Sequence, residues 1–328
     1  MLHHVSPAAV LAVAAMILPS IVSADGPLAS DKRGLCFTPN DTTRADDAVW
    51  PPALSWYYNY KPLPEPKYKD IPQSEFEFVP MLWGAPETKG DTSFVTTIQD
   101  LIKSGVNITN VLGFNEPDAP YSWGGSYLDP ITAAQVWVDN IKPLSDMGIR
   151  VGLPACTAGQ DGLPWLRTFV RECSKLVSTE NKKENCTFDF VTIHWYGSFE
   201  GLASHMGQYA AEFPNKTMWI TEYNFAHQSL EDTQAFYKIS AEYFDRLDFV
   251  ERYSLFGAFR SDVSNVGPNA AMLSNDGRLT DIGAWYLGKE STGVKPTDGQ
   301  SVSAAVRQTV SIVSALLIGA AAGAWGLF

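Results

Sequence analysis

Two glutamates occupy matched positions along the chain. Glu116 sits in VLGFNEPDAP (residues 111 to 120), after an apolar run and Asn115, and is followed by Pro117. Glu222 sits in KTMWITEY (216 to 223), after another apolar run and Thr221. Proline has no N–H to give to a sheet, so Pro117 stops the strand where the carboxyl group emerges. Two carboxyl groups facing each other across a cleft suit cleavage of a glycosidic bond, in which one protonates the leaving oxygen and the other attacks the anomeric carbon. A single such glutamate would more simply cap a loop, whereas two in the same local setting point to a shared task.

Eight apolar runs are spaced to carry these groups: KRGLCFT (32 to 38), LSWYYNY (54 to 60), FVPMLWG (78 to 84), NVLGFNE (110 to 116), IRVGLPAC (149 to 156), FDFVTIHWY (188 to 196), KTMWITEY (216 to 223) and RYSLFGAF (252 to 259). Each reads as a short buried strand. Helix-like segments follow the third (TSFVTTIQDLIKSG), fourth (DPITAAQVWVDNIKPLSDMG), fifth (LPWLRTFVRECSKL) and seventh (LEDTQAFYKISAEYFDRLD), and two of them close on glycine, Gly105 and Gly148. KYKDIPQSEFEF, between the second and third runs, is short and broken by proline, which predicts an irregular stretch there. Eight near-continuous apolar strands alternating with helices predict an α/β fold, a (β/α)8 TIM barrel forming one catalytic domain over residues 25–290. An open doubly wound sheet lacks its main functional support, because no GxGxxG follows the first strand. In barrels of this kind the reactive groups project from the C-terminal strand ends, and Glu116 ends the fourth strand and Glu222 the seventh.

The termini and the cysteines bear on location. Residues 1–24 carry no Asp, Glu, Lys or Arg, contain AAVLAVAAMIL and close on Val22-Ser23-Ala24, the pattern of a cleavable signal peptide. A polar linker (291–309) leads to the apolar segment 310–328, which has no charged residue after it. We read 310–328 as the removable signal of a glycolipid (GPI) anchor attached within the linker. A tail-anchor helix of minimal length is the alternative, although such helices more often end in basic residues. The expected location is extracellular, at the cell surface or cell wall. Four cysteines are present. Cys173 and Cys186 bracket a short polar segment and are expected to pair, leaving Cys36 with Cys156. Sequons at Asn40, Asn107, Asn185 and Asn215 suit a glycosylated exported chain.

A net charge of −12 over 328 residues repels nucleic acid and anionic lipid and leaves a neutral or cationic partner. With 10 Trp, 13 Tyr and 17 Phe the chain has aromatic faces to spare for the apolar sides of sugar rings, beyond those that fill core. No CxxC spacing and few histidines argue against a zinc cluster, and two carboxyl groups supply proton transfer and nucleophile without a metal or an organic cofactor.

SWYYNY, FVPMLWG, LGFNEPD, FDFVTIHWYG, MWITEYN and SNDGRLTDIGAWY together resemble glycoside hydrolase family 128, from Lys32 to about Tyr286. Asn115-Glu116-Pro117 resembles the Asn-Glu-Pro signature of the wider clan of retaining barrel glycosidases. The resemblance implies a retaining endo-β-1,3-glucanase acting on β-glucan, with Glu116 as acid/base and Glu222 as nucleophile; the chain is expected to be a monomer. Nothing in spacing or composition separates a β-1,3-linked from a β-1,4-linked substrate. A transglycosylase and a non-catalytic wall glucan-binding protein are the alternative functions.

Further residues attach to these two. Asn115 either offers its amide to a sugar 2-hydroxyl or caps the strand end. His194 and Tyr196 share one face of the sixth strand, and by resemblance to the clan one of them bonds the nucleophile; otherwise both are core. Trp83, ending the third strand, either stacks on a sugar or packs under a loop. Asn59, ending the second, is expected to meet hydroxyls. Tyr121 and Trp123, in the loop after Glu116, either line an acceptor side or anchor that loop. Many clan members carry an arginine near the end of the second strand, where this chain runs from Trp56 to Tyr60.

Overall fold

The computed structural model describes residues 30–38 and 44–299. The leader, Asn40, most of the polar linker and the segment 310–328 lie outside the described residues. In chain order the elements are β1 (Gly34–Cys36), β2 (Trp56–Tyr58), β3 (Glu77–Phe78), α1 (Ser93–Lys103), β4 (Asn110–Leu112), α2 (Pro130–Asn140), α3 (Lys142–Asp146), β5 (Arg150–Gly152), α4 (Gly162–Val177), β6 (Phe190–Trp195), α5 (Phe199–Glu212), β7 (Thr217–Tyr223), α6 (Leu230–Arg246), β8 (Val250–Leu255) and α7 (Asp281–Tyr286). Every strand pairing is parallel and follows chain order, β1-β2-β3 in one sheet and β4-β5-β6-β7-β8 in a second, curled one. At the edges of the two sheets the backbone amide of Tyr253 donates to Lys32 O at 2.9 Å, and that of Leu82 to Leu112 O at 3.1 Å.

All eight expected strands form, mostly shorter than the apolar runs that announced them. The third is cut to two residues because Pro80 lacks an N–H. Pro62, Pro64 and Pro66 keep the connection from β2 to β3 free of helix, as the proline-broken sequence there predicts. Pro143 divides the single helix expected over 129 to 148 into α2 and α3. Gly105 and Gly148, at φ +96° and +87°, follow the ends of α1 and α3.

Two helices, α5 and the short α7, had no counterpart in the sequence reading, and α5 is the longer. The N-cap of α5 is Ser198, whose hydroxyl accepts from Gly201 N, but Gly201 and Gly207 weaken its helical signal. Gly201 has a tertiary cause: a Cβ there would lie 2.3 Å from the Trp195 indole. Helix packing rather than propensity sets that residue.

Side chains on successive strand residues alternate between two compartments, as the pleat requires. Trp56 and Tyr58 join Cys36, Met81, Phe190 and Trp219 on the concave side, where Phe190 and Trp219 stack with centroids 4.1 Å apart. Tyr57 points the other way and packs against Tyr68, Phe76 and Phe78.

Arg33, buried, ties the two sheets to α7. Its guanidinium donates to the Tyr253 hydroxyl (2.8 Å), to the Trp285 and Tyr286 carbonyls (3.0 and 3.1 Å) and to Asp245 (3.3 Å). Burial works against its charge, and the Tyr237, Tyr253 and Asp245 side chains hold that charge in place.

Cys173 and Cys186 are bridged, with Cα atoms 5.3 Å apart. The second expected bridge is corrected: Cys36 and Cys156 are both free and buried. Cys36 lies on β1, whereas Cys156 lies in the segment between β5 and α4, and the Cys36 thiol instead donates to Leu255 O on β8. Asn107, Asn185 and Asn215 are all exposed. Among the described residues no helix is long and apolar enough to cross a membrane.

Two outcomes follow from this packing. Arg33→Met should cost about 3–5 kcal/mol in urea unfolding, because buried carbonyls and a carboxylate lose their donor. Alkylation in denaturant should label Cys36 and Cys156 without prior reduction, and Cys173 and Cys186 only after it.

Candidate active site

Glu116 reaches its position through a backbone distortion. Asn115 still bridges Ala155 beside the end of β5, and the Glu116 amide donates to Ala155 O at 2.7 Å. Glu116 itself adopts φ +39°, a conformation that costs a non-glycine residue energy and that collects at working sites. The following loop is strapped to it, with the amides of Ala119 and Ser126 donating to Glu116 O. Gly125 is required there, since a Cβ would come within 2.5 Å of that oxygen.

Glu222 lies inside β7, paired across the sheet with His194 of β6, and the register slips between Ile193 and His194. A slip of this kind re-aims a side chain, here bringing His194 to both carboxylates. Its Nδ1 lies 3.0 Å from Glu116 Oε1 and 3.4 Å from Glu222 Oε2. One ligand atom from each of Glu116, His194 and Glu222 falls within 4.8 Å of the other two. These three are the described residues grouped closely enough to hold a metal ion, but a cation binding Glu222 would compete with two phenols. Tyr60 donates to its Oε1 at 2.7 Å and Tyr196 to its Oε2 at 2.5 Å.

Burial raises the pKa of Glu222 above its ordinary 4.5, and the charge of Glu116 adds to this. His194 and the two phenol donors pull the other way. His194 loses to burial but gains more from Glu222 and from its bond to Glu116, so its pKa is raised. Both phenols are driven far above 10 by burial first and by Glu222 second, which keeps them as donors.

The surrounding cleft, of about 660 Å³, is lined by Trp83, Asn115, Trp123, Tyr196 and Phe256 among others. Asn115 commits its amide to the Gly124 carbonyl at 3.1 Å, while its Oδ1 is buried without a protein partner. Both of its expected roles are therefore open to the one side chain. Of His194 and Tyr196, it is Tyr196 that donates to Glu222, while His194 sits between the two carboxylates. Trp83 lines the cleft and stacks on Tyr121, with centroids 6.0 Å apart. Tyr121 and Trp123 are 66% and 79% exposed; Tyr121 holds its loop to Trp83 and Tyr127, while Trp123 lines the cleft. Asn59 is a correction: it is buried outside this lining, donating to Leu63 O and accepting from Lys61 N, and so braces its own loop. Tyr60 is the residue that sequence reasoning missed. It continues the 56, 58, 60 alternation of the concave face, but φ +60° takes it out of the strand, and only the fold carries its hydroxyl to Glu222.

Tyr60→Phe and Tyr196→Phe each remove a donor to the ionised form of Glu222, so its pKa should rise further. The acid limb of the kcat/KM profile should move up by about one to two units in either variant. An unmoved limb would mean that Glu222 does not set it.

Comparison with known proteins follows the same outline. Alkali-sensitive linkage protein 1 of Schizosaccharomyces pombe is 28% identical over 268 residues, covering 79% of this chain. The chain spans under half of that relative, 44% of its length. An exo-β-1,3-glucanase of family 128 from Aureobasidium namibiae superposes with a TM-score of 0.63 at 21% identity, over 80% of this chain and 97% of its own. An endo-β-1,3-glucanase of the same family from Sorangium cellulosum also gives 0.63, at 24% identity, over 80% of this chain and all of its own. These likenesses show a shared fold. From residue 34 to residue 286 the sequence matches the family described as glycosyl hydrolase catalytic core, and the chain belongs to that family of glycoside hydrolases, with family 128 providing its structural relatives.

Proposed function

We propose that this protein is an exported, retaining β-1,3-glucan hydrolase built on a (β/α)8 barrel, with Glu116 as acid/base and Glu222 as nucleophile. The observation that carries the reading is the approach of the two carboxylates to one imidazole, with the three groups' atoms within 4.8 Å. A retaining mechanism needs carboxyl groups about 5 to 5.5 Å apart, whereas an inverting one needs about 6.5 to 9.5 Å to admit a water. Parallel pairing throughout and hydrogen bonds between the edges of the two sheets support barrel closure.

In the first step Glu222 attacks the anomeric carbon as the bond to the leaving oxygen breaks, and Glu116 gives that oxygen a proton. In the second, Glu116 takes a proton from a water, which displaces Glu222 and releases the sugar. Tyr60 and Tyr196 hold the attacking carboxylate in line. His194 bridges the pair, so that the proton gained or lost by Glu116 is felt at Glu222.

The linkage comes from the family 128 relatives. Those relatives include both exo- and endo-acting enzymes, and we favour endo action. The leader-like residues 1–24 and the apolar segment 310–328 support export and a glycolipid anchor at the cell surface or wall, with the enzyme a monomer. Transfer to a second sugar is favoured by one observation, the exposed Tyr121, Trp123 and Tyr127 in the loop that carries the acid/base. A sugar stacked there would sit on the leaving-group side, where an acceptor also arrives.

Chromatography of products from linear β-1,3-glucan oligosaccharides tests these readings. Shorter products are expected, abolished by Glu222→Ala and reduced about 10²- to 10⁴-fold by Glu116→Gln. Products longer than the substrate would assign transfer. Unchanged substrate with retained binding would assign a glucan-binding protein.

A further inference from the structure

The end of the sheet opposite the catalytic cleft holds a second concavity with an occupant written into the sequence. It is a groove of about 330 Å³ lined by Ala210, Phe213, Asn215, Lys216, Met218 and Phe249, together with Thr217. Its floor is apolar, and Phe249 is 39% exposed although most large apolar side chains among the described residues are buried. Asn215 and Thr217 are the first and third residues of a sequon, so the groove contains its own attachment point.

The local backbone presents that attachment point. Phe213 to Lys216 form a turn closed by Lys216 N donating to Phe213 O at 3.3 Å, with Pro214 and Asn215 at its centre. Asn215 takes φ +64°, a left-handed conformation that asparagine tolerates better than most residues. The turn folds Phe213 and Thr217, two residues to either side, back around the exposed Asn215. Phe213 is held from behind by Phe188 and Tyr209, with centroids 5.6 and 6.2 Å away, and so offers a fixed apolar wall. Asn107 and Asn185 are exposed too, but Gly105 and Lys183 stand where Phe213 stands relative to Asn215.

We infer that Asn215 carries an N-linked glycan whose first N-acetylglucosamine packs into this groove against Phe213 and Phe249, so that the sugar is a structural part of the fold. The inference rests on the export reading, since the donor is a lipid-pyrophosphate-linked oligosaccharide met during secretion. The bond formed joins Asn215 Nδ2 to the anomeric carbon. The bond broken is that carbon's link to the pyrophosphate, which leaves with the electron pair while Nδ2 gives up a proton. The C–H faces of the sugar ring then cover apolar surface that otherwise meets water. Glu222 lies seven residues further along the same extended segment, about 20 Å away, so the glycan leaves the cleft clear.

The full chain, produced in a eukaryotic secretory host, tests this by peptide mass spectrometry and thermal unfolding. Asn215 should be occupied. Trimming its glycan to a single N-acetylglucosamine should leave Tm unchanged, whereas Asn215→Asp should lower Tm by about 2–4 °C. In a Phe213→Ala background the loss on Asn215→Asp should largely disappear, which separates the sugar contact from any strain in the turn. Asn107→Asp and Asn185→Asp should leave Tm unchanged. An unoccupied Asn215 beside an occupied Asn107 or Asn185 overturns the inference alone, as does a Tm loss that persists without Phe213. No occupancy at any of the three overturns it together with the export reading.

Discussion

Two carboxylates and one imidazole share a buried space a few ångströms across, and much of the molecule is arranged so that they can. Like charges at this range repel strongly in a poorly solvated site. Neither side chain can be left to find its own position, because each would turn away from the other. The parallel strands supply the restraint. Glu222 is held within β7, which lies between β6 and β8, and Glu116, itself left-handed, is strapped to the segment after β5 and to its own loop. The backbone strain at Glu116 is offset by the sheet that fixes the residues around it.

Proton bookkeeping in the site depends on what surrounds these charges. Burial and Glu116 make ionisation of Glu222 harder, while two phenols and His194 make it easier. The phenols can do this because burial keeps them protonated, so they donate to the carboxylate and do not compete with it as acids. One of these phenols, that of Tyr60, brings a neutral hydroxyl to Glu222. A neutral donor stabilises the carboxylate less than a full positive charge would, and leaves Glu222 responsive to the state of Glu116 through His194.

The two ends of the sheets divide the labour. The C-terminal strand ends carry the charged groups, the cleft and the exposed aromatic loop. The N-terminal end carries the Asn215 turn and its apolar groove, remote from the chemistry. Between them the packed aromatic residues of the concave side, Trp56, Phe190 and Trp219 among them, fill the space under the site and keep its floor from collapsing.

The sequence by itself determined the strands and the two glutamates, because apolar runs, proline stops and strand-end carboxylates are local patterns readable along the chain. It also carried the Cys173–Cys186 pairing, which is close in sequence, and put His194 and Tyr196 on one face, but the structure selected Tyr196 as the donor to Glu222. Only the tertiary structure decided the rest. Cys36 and Cys156 stay apart because β1 turns the Cys36 thiol to Leu255 O of β8 while Cys156 lies beyond the end of β5, and no local pattern records which partner a buried thiol meets. Asn59 was spent on its own loop, and α5 formed around Gly201 because the Trp195 indole needed that space. Tyr60 reaches Glu222 from 162 residues away through a backbone twist that residue type does not announce. Local pattern specifies which surface a residue presents, but the partner it meets is set by the closing of one strand upon another far along the chain.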